Sequence, residues 1–333
     1  MFDENTEIVK KIKEEQTLKE MAKALNLSMD SIHKKIMQVQ NEGLVLKKII
    51  YDNGNIRYLI KKFPQQNSCG VTMKLSDSTK FSAMLISDLH FGNELEAMKY
   101  LDIIYEYCKN YGINIIINGG DLIDGAFSKG VQTIDDPEKQ LDYVIKNYPY
   151  DEDILNLICL GNHDFSLYKS GIDIKKALEM SRYDLIPLGF GLGILNFSND
   201  QIFIRHHINE YNFETIYGKL VLEGHKHKMA FTNSDKGFLV NVPTLSNLTL
   251  GRHEFPGAIR MDLFFDRDGY INSGHFEQFI LTDKLCTVNE AIFDLRFLDH
   301  DQLSEIDVRP KIKKLQINGP GQIEKFYQKW GQK

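Results

Sequence analysis

The sequence is short of cysteine, of long apolar runs and of low-complexity stretches, and each shortage removes a class of protein. Its four cysteines, Cys69, Cys108, Cys159 and Cys286, lie far apart and form no Cys-x-x-Cys pair. That spacing excludes a disulfide framework and a zinc ribbon, and it suits a reducing, cytoplasmic setting. Apolar-rich runs such as Ile113–Ile117 and Leu155–Leu160 fall far below the ~20 residues that cross a bilayer, so no membrane partner is expected. The opening Met1-Phe2-Asp3-Glu4-Asn5 is polar and acidic, unlike the basic start of a secretory signal.

The 333 residues suggest about two domains. A hydrophobic share of 42% with 26% charged residues supplies a sizeable core and excludes disorder. The net charge of −6 is unevenly spread: residues 1–80 carry +4 and the remainder −10. Within that remainder, residues 309–333 hold seven bases against one acid, Glu324. Basic ends flanking an acidic middle mark either polyanion contact or a solvated lysine-rich surface.

Residues 6–15 form a short helix candidate with Ile8 and Ile12 on one face. Thr17 and Glu20 have the spacing of a capping box, and Leu18, Met21, Ala22 and Leu25 follow at helical intervals. Ser28 can cap a further helix from Met29 to Glu42, which Gly43 ends. Two β-rich runs, Leu44–Tyr51 and Ile56–Ile60, flank Asn53-Gly54, a strong hairpin signal. This order resembles the winged-helix family over roughly residues 6–62. The resemblance implies a helix-turn-helix contact with nucleic acid through Lys34, Lys35 and Gln38, with Lys47, Lys48 and Arg57 on the wing. A protein-binding role is the alternative. Residues 63–79 are polar and pattern-free and read as a linker.

Five short motifs follow, each at the end of an apolar strand pattern. Strand 81–87 delivers Asp88-Leu89-His90, whose alternate residues point one way. A helix over 94–111 and a strand over 113–118 lead to Gly119-Gly120-Asp121-Leu122-Ile123-Asp124. A helix over 138–147 and a strand over 154–160 lead to Gly161-Asn162-His163-Asp164. Strand 202–205 ends in His206-His207, and strand 219–223 ends in Gly224-His225-Lys226-His227. Strand–helix alternation puts all five at the ligand-binding edge of an α/β sheet.

Together these motifs resemble the calcineurin-like metallophosphoesterase superfamily over roughly residues 80–280. The resemblance implies an α/β fold, a four-layer α/β/β/α sandwich, here preceded by a small winged-helix domain and followed by a basic extension over 281–333. It implies two divalent metal ions. One would be held by Asp88, His90, Asp121 and His227, the other by Asp121, Asn162, His206 and His225. His206 is preferred to His207 because the family histidine comes first after the strand. Mixed oxygen and nitrogen donors favour manganese, with iron or zinc as alternatives. The family pattern gives His163 a role beside a hydroxide shared by the metals, as proton donor to the leaving oxygen, with Asp124 orienting it. Gly125-Ala126-Phe127 follows Asp124 where the protein serine/threonine phosphatases have Arg-Gly, which argues against that branch.

The winged helix and basic ends favour a phosphodiesterase acting on DNA or RNA, a nuclease. The alternative is a phosphoesterase for a small nucleotide or cyclic phosphodiester, with a regulatory or protein-binding winged helix. Residues 288–298 read as a helix. The last residues, with Phe326 and Trp330 among lysines, suggest a helix docked on the domain. Through this extension a protein partner or a second copy could be recruited.

Overall fold

Alternation of apolar residues dictates two packed sheets with helices on the outside, and a computed structural model shows how they are connected. It describes residues 6–61, 70–76, 79–126, 130–208, 218–234, 237–249, 255–282 and 284–294. In chain order, α1 (Glu7–Lys13), α2 (Leu18–Leu25) and α3 (Met29–Asn41) precede β1 (Leu46–Tyr51), β2 (Ile56–Ile60) and β3 (Gly70–Lys74). Then come β4 (Lys80–Ile86), α4 (Met98–Tyr111), β5 (Ile115–Asn118), α5 (Pro137–Asn147), β6 (Leu155–Leu160), α6 (Asn162–Lys169), α7 (Ile174–Ser181) and β7 (Leu185–Phe190). The remainder is β8 (Leu192–Asn196), β9 (Gln201–Arg205), β10 (Leu220–Glu223), β11 (Ala230–Ser234), β12 (Gly237–Asn241), β13 (Gly257–Phe265), β14 (Ile271–Leu281) and β15 (Leu285–Asp294).

Seven strands form one sheet in the order β15-β14-β13-β4-β5-β6-β7, and eight form the other in the order β11-β12-β10-β9-β8-β3-β1-β2. Strands β4 to β7 run parallel, so their C-terminal ends share one edge. The period of two sorts their side chains. Phe81, Ala83, Leu85, Ile115, Ile117, Leu155, Leu157 and Cys159 face the other sheet, where Ile202, Ile204, Leu220, Leu222 and Val240 meet them. Met84, Ile86, Ile116, Ile158 and Leu160 face outward under Leu101, Ile104, Leu141, Val144 and Leu178 of the helices. These layers are an α/β/β/α phosphoesterase-like sandwich.

The local signals at the N-terminus act as the sequence suggests. Thr17 Oγ1 accepts from Glu20 N–H at 3.2 Å, while Glu20 Oε2 accepts from Thr17 N–H at 2.7 Å. Ser28 Oγ accepts from Ser31 N–H at 3.2 Å and caps α3. Among the described residues these elements are not set apart as a separate domain. The hairpin β1–β2 is the end of the eight-stranded sheet, and Ile8, Ile12, Met21, Ile32, Ile50 and Tyr58 belong to the same apolar cluster as the inter-sheet core.

Two further expectations are corrected. The stretch read as a 63–79 linker contains β3, paired in parallel with β1 on one side and β8 on the other. Met73 explains it: this single apolar side chain is buried in the shared core. The segment read as a helix over 288–298 is strand β15 as far as Asp294. It pairs with β14 from Leu285 to Asp294. Here Phe293 packs among Phe231, Phe238 and Phe276, while neighbouring Ile292 is 78% exposed. Residues 295–333, including Phe326 and Trp330, lie outside the described residues.

Candidate metal centre

The strand ends deliver the five motifs to one place. Asp88 and His90 follow β4, Asp121 follows β5, and Asn162 and His163 open α6 after β6. His206 follows β9, and His225 and His227 follow β10. The first sheet therefore supplies both carboxylates, with His90, Asn162 and His163, and the second supplies His206, His225 and His227.

The distances are those of converging metal ligands. Asp88 Oδ1 lies 3.1 Å from His227 Nε2, 3.9 Å from His90 Nε2 and 4.0 Å from His206 Nε2. Asp121 Oδ2 lies 3.1 Å from His206 Nε2 and 3.9 Å from His90 Nε2. Asn162 Oδ1 is 3.1 Å from His206 Nε2 and 3.0 Å from His225 Nδ1. Three groups of donors, Asp88/His90/His227, His90/Asp124/His163 and Asp121/His206/His225, each have ligand atoms within 4.8 Å of one another. His206 enters this set; His207 stays on the exposed side, its ring 5.1 Å from that of His225.

The donor chemistry fits divalent metal. Asp88 is buried, and its Oδ1 has no hydrogen-bond partner. A buried carboxylate oxygen without a donor is costly, and a cation would satisfy it. Oδ2 of the same carboxylate is satisfied by Ser87 Oγ at 2.5 Å and by His225 N–H at 3.0 Å. The two oxygens are thus divided between holding the loops and facing the imidazoles.

The backbone records the same purpose. Seven non-glycine residues among those described have φ in the left-handed region, and five are Asp88, His90, Asp121, His225 and His227. Such conformations are costly and collect at functional sites. Gly120 shows how close the packing is. Its φ is +122°, and a β-carbon there would lie 2.2 Å from His206 Nδ1.

Electrostatics follows from this crowding. Burial raises the carboxyl pKa of Asp121, but the charge and hydrogen bond of His206 outweigh it, so the group is held far below the usual range. Burial likewise works against ionised Asp88, and the His227 contact together with His206 lowers its pKa. His206, favoured by Asp121 and Asp88, is pushed up to about 10 despite its burial. Burial and the neighbouring His206 bring His225 down to about 4.

His163 and Asp124 are arranged differently from expectation. His163 Nδ1 meets the main-chain carbonyl of Asp124 at 2.6 Å. The Asp124 carboxylate instead places Oδ1 3.4 Å from His90 Nδ1 and is held by Asn93 Nδ2 at 3.2 Å and Gln132 Nε2 at 2.7 Å. Asp124 thus holds His163 with its backbone, while its carboxylate lies beside His90 Nδ1 without a hydrogen bond to it. Asn93 and Gln132 carried no motif signal, because their contribution depends on loops meeting in space. Asp164 takes no part in this contact; it accepts from the N–H groups of Gly161, Leu122 and Ile123.

The residues expected to meet nucleic acid differ in exposure. Lys34, Lys35 and Gln38 are exposed on α3, with Gln38 donating to Glu42 at 3.0 Å. Arg57 pairs with Glu15 at 3.6 Å and lies over the Tyr51 ring. Lys47 is half-buried, and Lys48 is turned inward over the Tyr58 ring. The wing tip is itself docked, since a β-carbon on Gly54 would lie 2.1 Å from the Asp153 carbonyl oxygen.

The chain is similar in structure to vacuolar protein sorting 29 from Cryptosporidium parvum, with 15% identity and a TM-score of 0.39 over 65% of this chain and 99% of that one. It is similar to Yfce, a phosphoesterase from E. coli, with 15% identity and a TM-score of 0.40 over 63% of this chain and 98% of that one. An archaeal phosphodiesterase gives 14% identity and a TM-score of 0.38 over 60% and 100% of the two chains. No curated protein matches the sequence significantly. The sequence profile of the calcineurin-like phosphoesterases matches residues 81–275, which contain every one of the metal-ligand candidates. With more than half of its length matched and a two-metal-binding type of site at the strand ends, this chain belongs to the calcineurin-like phosphoesterase family.

Proposed function

We propose that the protein is a two-metal phosphoesterase whose substrate is a small phosphodiester or nucleotide. The observation that carries this reading is the convergence of Asp88, His90, Asp121, Asn162, His206, His225 and His227 from both sheets, with His163 alongside. Asp88, His90, Asp121 and His227 would hold one ion. Asp121, Asn162, His206 and His225 would hold the other, with Asp121 shared. When bound, two such ions neutralise phosphate charge and lower the pKa of water. Manganese is the proposed metal, since the donors are oxygen and nitrogen without thiolate.

The protein's own groups do the remainder. His163 donates through Nδ1 to the Asp124 carbonyl, which fixes the ring; as the imidazolium it also carries a proton on Nε2, which can be donated to a phosphoryl oxygen or passed to the leaving oxygen. The Asp124 carboxylate lies 3.4 Å from His90 Nδ1, on the side of the ring away from the metal-facing Nε2. Asn93 and Gln132 hold that carboxylate in place.

A small substrate is favoured because Arg57 pairs with Glu15, Lys48 is turned inward away from the wing surface, and the hairpin tip at Gly54 abuts Asp153. The helices and hairpin then act as a regulatory or protein-binding winged-helix unit built into the sheet. One observation keeps a nuclease as a second reading: Lys34, Lys35 and Gln38 remain exposed on α3. A substrate panel separates the two. Manganese-loaded protein is given a chromogenic phosphodiester, linear and cyclic nucleotides, and labelled single- and double-stranded DNA and RNA, with Asp88→Ala as control. Turnover of small substrates that the variant lacks supports the proposal. Rapid cleavage of DNA or RNA with no turnover of small substrates refutes it.

A further inference from the structure

Two half-buried lysines, Lys48 and Lys175, line the seam between the N-terminal unit and the catalytic layers. A cavity of about 410 Å³ opens there, walled by α3, β1, β2, β3, α7 and β7. It shares no residue with the metal centre. Its volume lies within the range of small-molecule sites, roughly 300–1,000 Å³.

Lys48 is the informative residue. In the hairpin register it stands opposite Tyr58, on the same strand face as Ile50 and Ile56, both fully buried. A position of this kind ordinarily carries an apolar residue. Lys48 instead places its ammonium into the cavity, 6.0 Å above the Tyr58 ring. Among the described residues no carboxylate lies within ion-pair distance of it. Burial works against its charge and lowers its pKa; Glu179 on α7 opposes this, and Lys175 on the same helix adds a second positive charge. Lys175 makes one weak contact, with the Leu188 carbonyl at 3.4 Å. Keeping an unpaired ammonium in a confined space costs free energy unless an anion meets it.

The rest of the wall describes that anion. Gln40 and Thr72 offer polar contacts, and Met37, Leu44, Leu46, Val71, Ile186 and Pro187 form an apolar side. We propose that this cavity binds a phosphorylated small molecule of nucleotide size, its phosphate between Lys48 and Lys175 and its organic part against the apolar wall. Such a ligand would join α3 and β1 to α7 and so tie the N-terminal unit to the catalytic layers. Glu179 sets an upper limit on ligand charge, which favours a single phosphate over a polyphosphate.

The test uses full-length, metal-loaded protein and the 5′-phosphonate analogue of adenosine monophosphate, which has no phosphate ester to hydrolyse. Adenosine is the uncharged control. Binding is measured calorimetrically for the natural protein, Lys48→Met, Lys175→Met and Asp88→Ala, and turnover of a chromogenic diester is measured alongside. Each lysine variant is expected to weaken one binding event by about tenfold or more, the loss of a charge-assisted hydrogen bond, with turnover unchanged. That event is expected to survive in Asp88→Ala. Lys175→Met changes a half-exposed helix position and keeps the test decisive should Lys48→Met fold poorly. Isotherms unchanged by Lys175→Met, binding that disappears entirely in Asp88→Ala, or adenosine binding as tightly as the phosphonate would each overturn the proposal.

Discussion

His33 is the joint between α3 and the catalytic layers, and it should make the protein's stability depend on pH. Its Nε2 donates to the Glu179 carbonyl at 2.5 Å, its Nδ1 lies 3.5 Å from the Tyr58 hydroxyl, and the residue is 2% exposed. Burial, followed by the nearby charge of Lys48, brings its pKa from 6.5 to about 4. The unfolded chain recovers the ordinary value. Between the two values the unfolded state binds a proton that the folded state refuses, so stability falls as pH drops. The contribution is intact above 6.5, declines through the interval and levels off below about 4. At 1.36 kcal/mol per pKa unit the full loss is about 3 kcal/mol, of which about 2 kcal/mol has gone by pH 5.0. Urea unfolding at pH 7.5 and 5.0 measures it, with His33→Gln as comparison because glutamine can keep the donor to Glu179 without titrating. The natural protein should lose about 2 kcal/mol more than the variant across that interval. Equal losses, or a His33 ring resonance titrating near 6.5, would refute the reasoning.

The centre yields further expectations. Gly120→Ala drives a β-carbon into His206; metal content should fall below two equivalents and turnover by about 100-fold, read by elemental analysis and kinetics. Gln132→Leu releases Asp124 Oδ2 and through it His90, so metal affinity should weaken about tenfold in a competitive chelator titration. His163→Asn should slow turnover about 100-fold or more while both metal equivalents remain. Chelation should lower the melting temperature, and metal should restore it, because the folded centre binds metal and the unfolded chain has no such cage; an unchanged transition would count against the site.

Much of the sandwich could be read from the chain because its signals are local. A strand end followed by Asp88-Leu89-His90 or Gly120-Asp121 is written in consecutive residues, and the Thr17–Glu20 box needs only one helical turn. What was illegible depends on long-range pairing. Strand β3 has one buried apolar residue, Met73, and its existence rests on β1 and β8 on either side. In β15, Phe293 finds three phenylalanines from other strands, and that contact overrides an ambiguous apolar pattern. Inside the site, residue identities were legible and contacts were not. Nothing in Gly120-Asp121-Leu122-Ile123-Asp124 says that the last carboxylate turns to His90 while its carbonyl takes His163.

The left-handed residues explain why the two sheets must be in register for the centre to exist. Each such non-glycine residue costs roughly 1 kcal/mol or more, so five place several kcal/mol of strain in the loops. The loops hold one another in that state. Asp88 N–H donates to the Gly120 carbonyl at 2.9 Å, and Leu89 and His90 N–H both reach the Asp121 carbonyl, at 2.9 and 3.1 Å. These bonds join β4 to β5 within one sheet. The bond from His225 N–H to Asp88 Oδ2 at 3.0 Å then crosses to the other sheet. It uses the carboxylate oxygen that does not face the imidazoles, so the same side chain locks the loops and keeps Oδ1 aimed inward. The hairpin β1–β2 reaches β8 and β9 through β3 within that second sheet. The N-terminal unit is therefore joined, strand by strand, to the strands whose ends present His206 and His225.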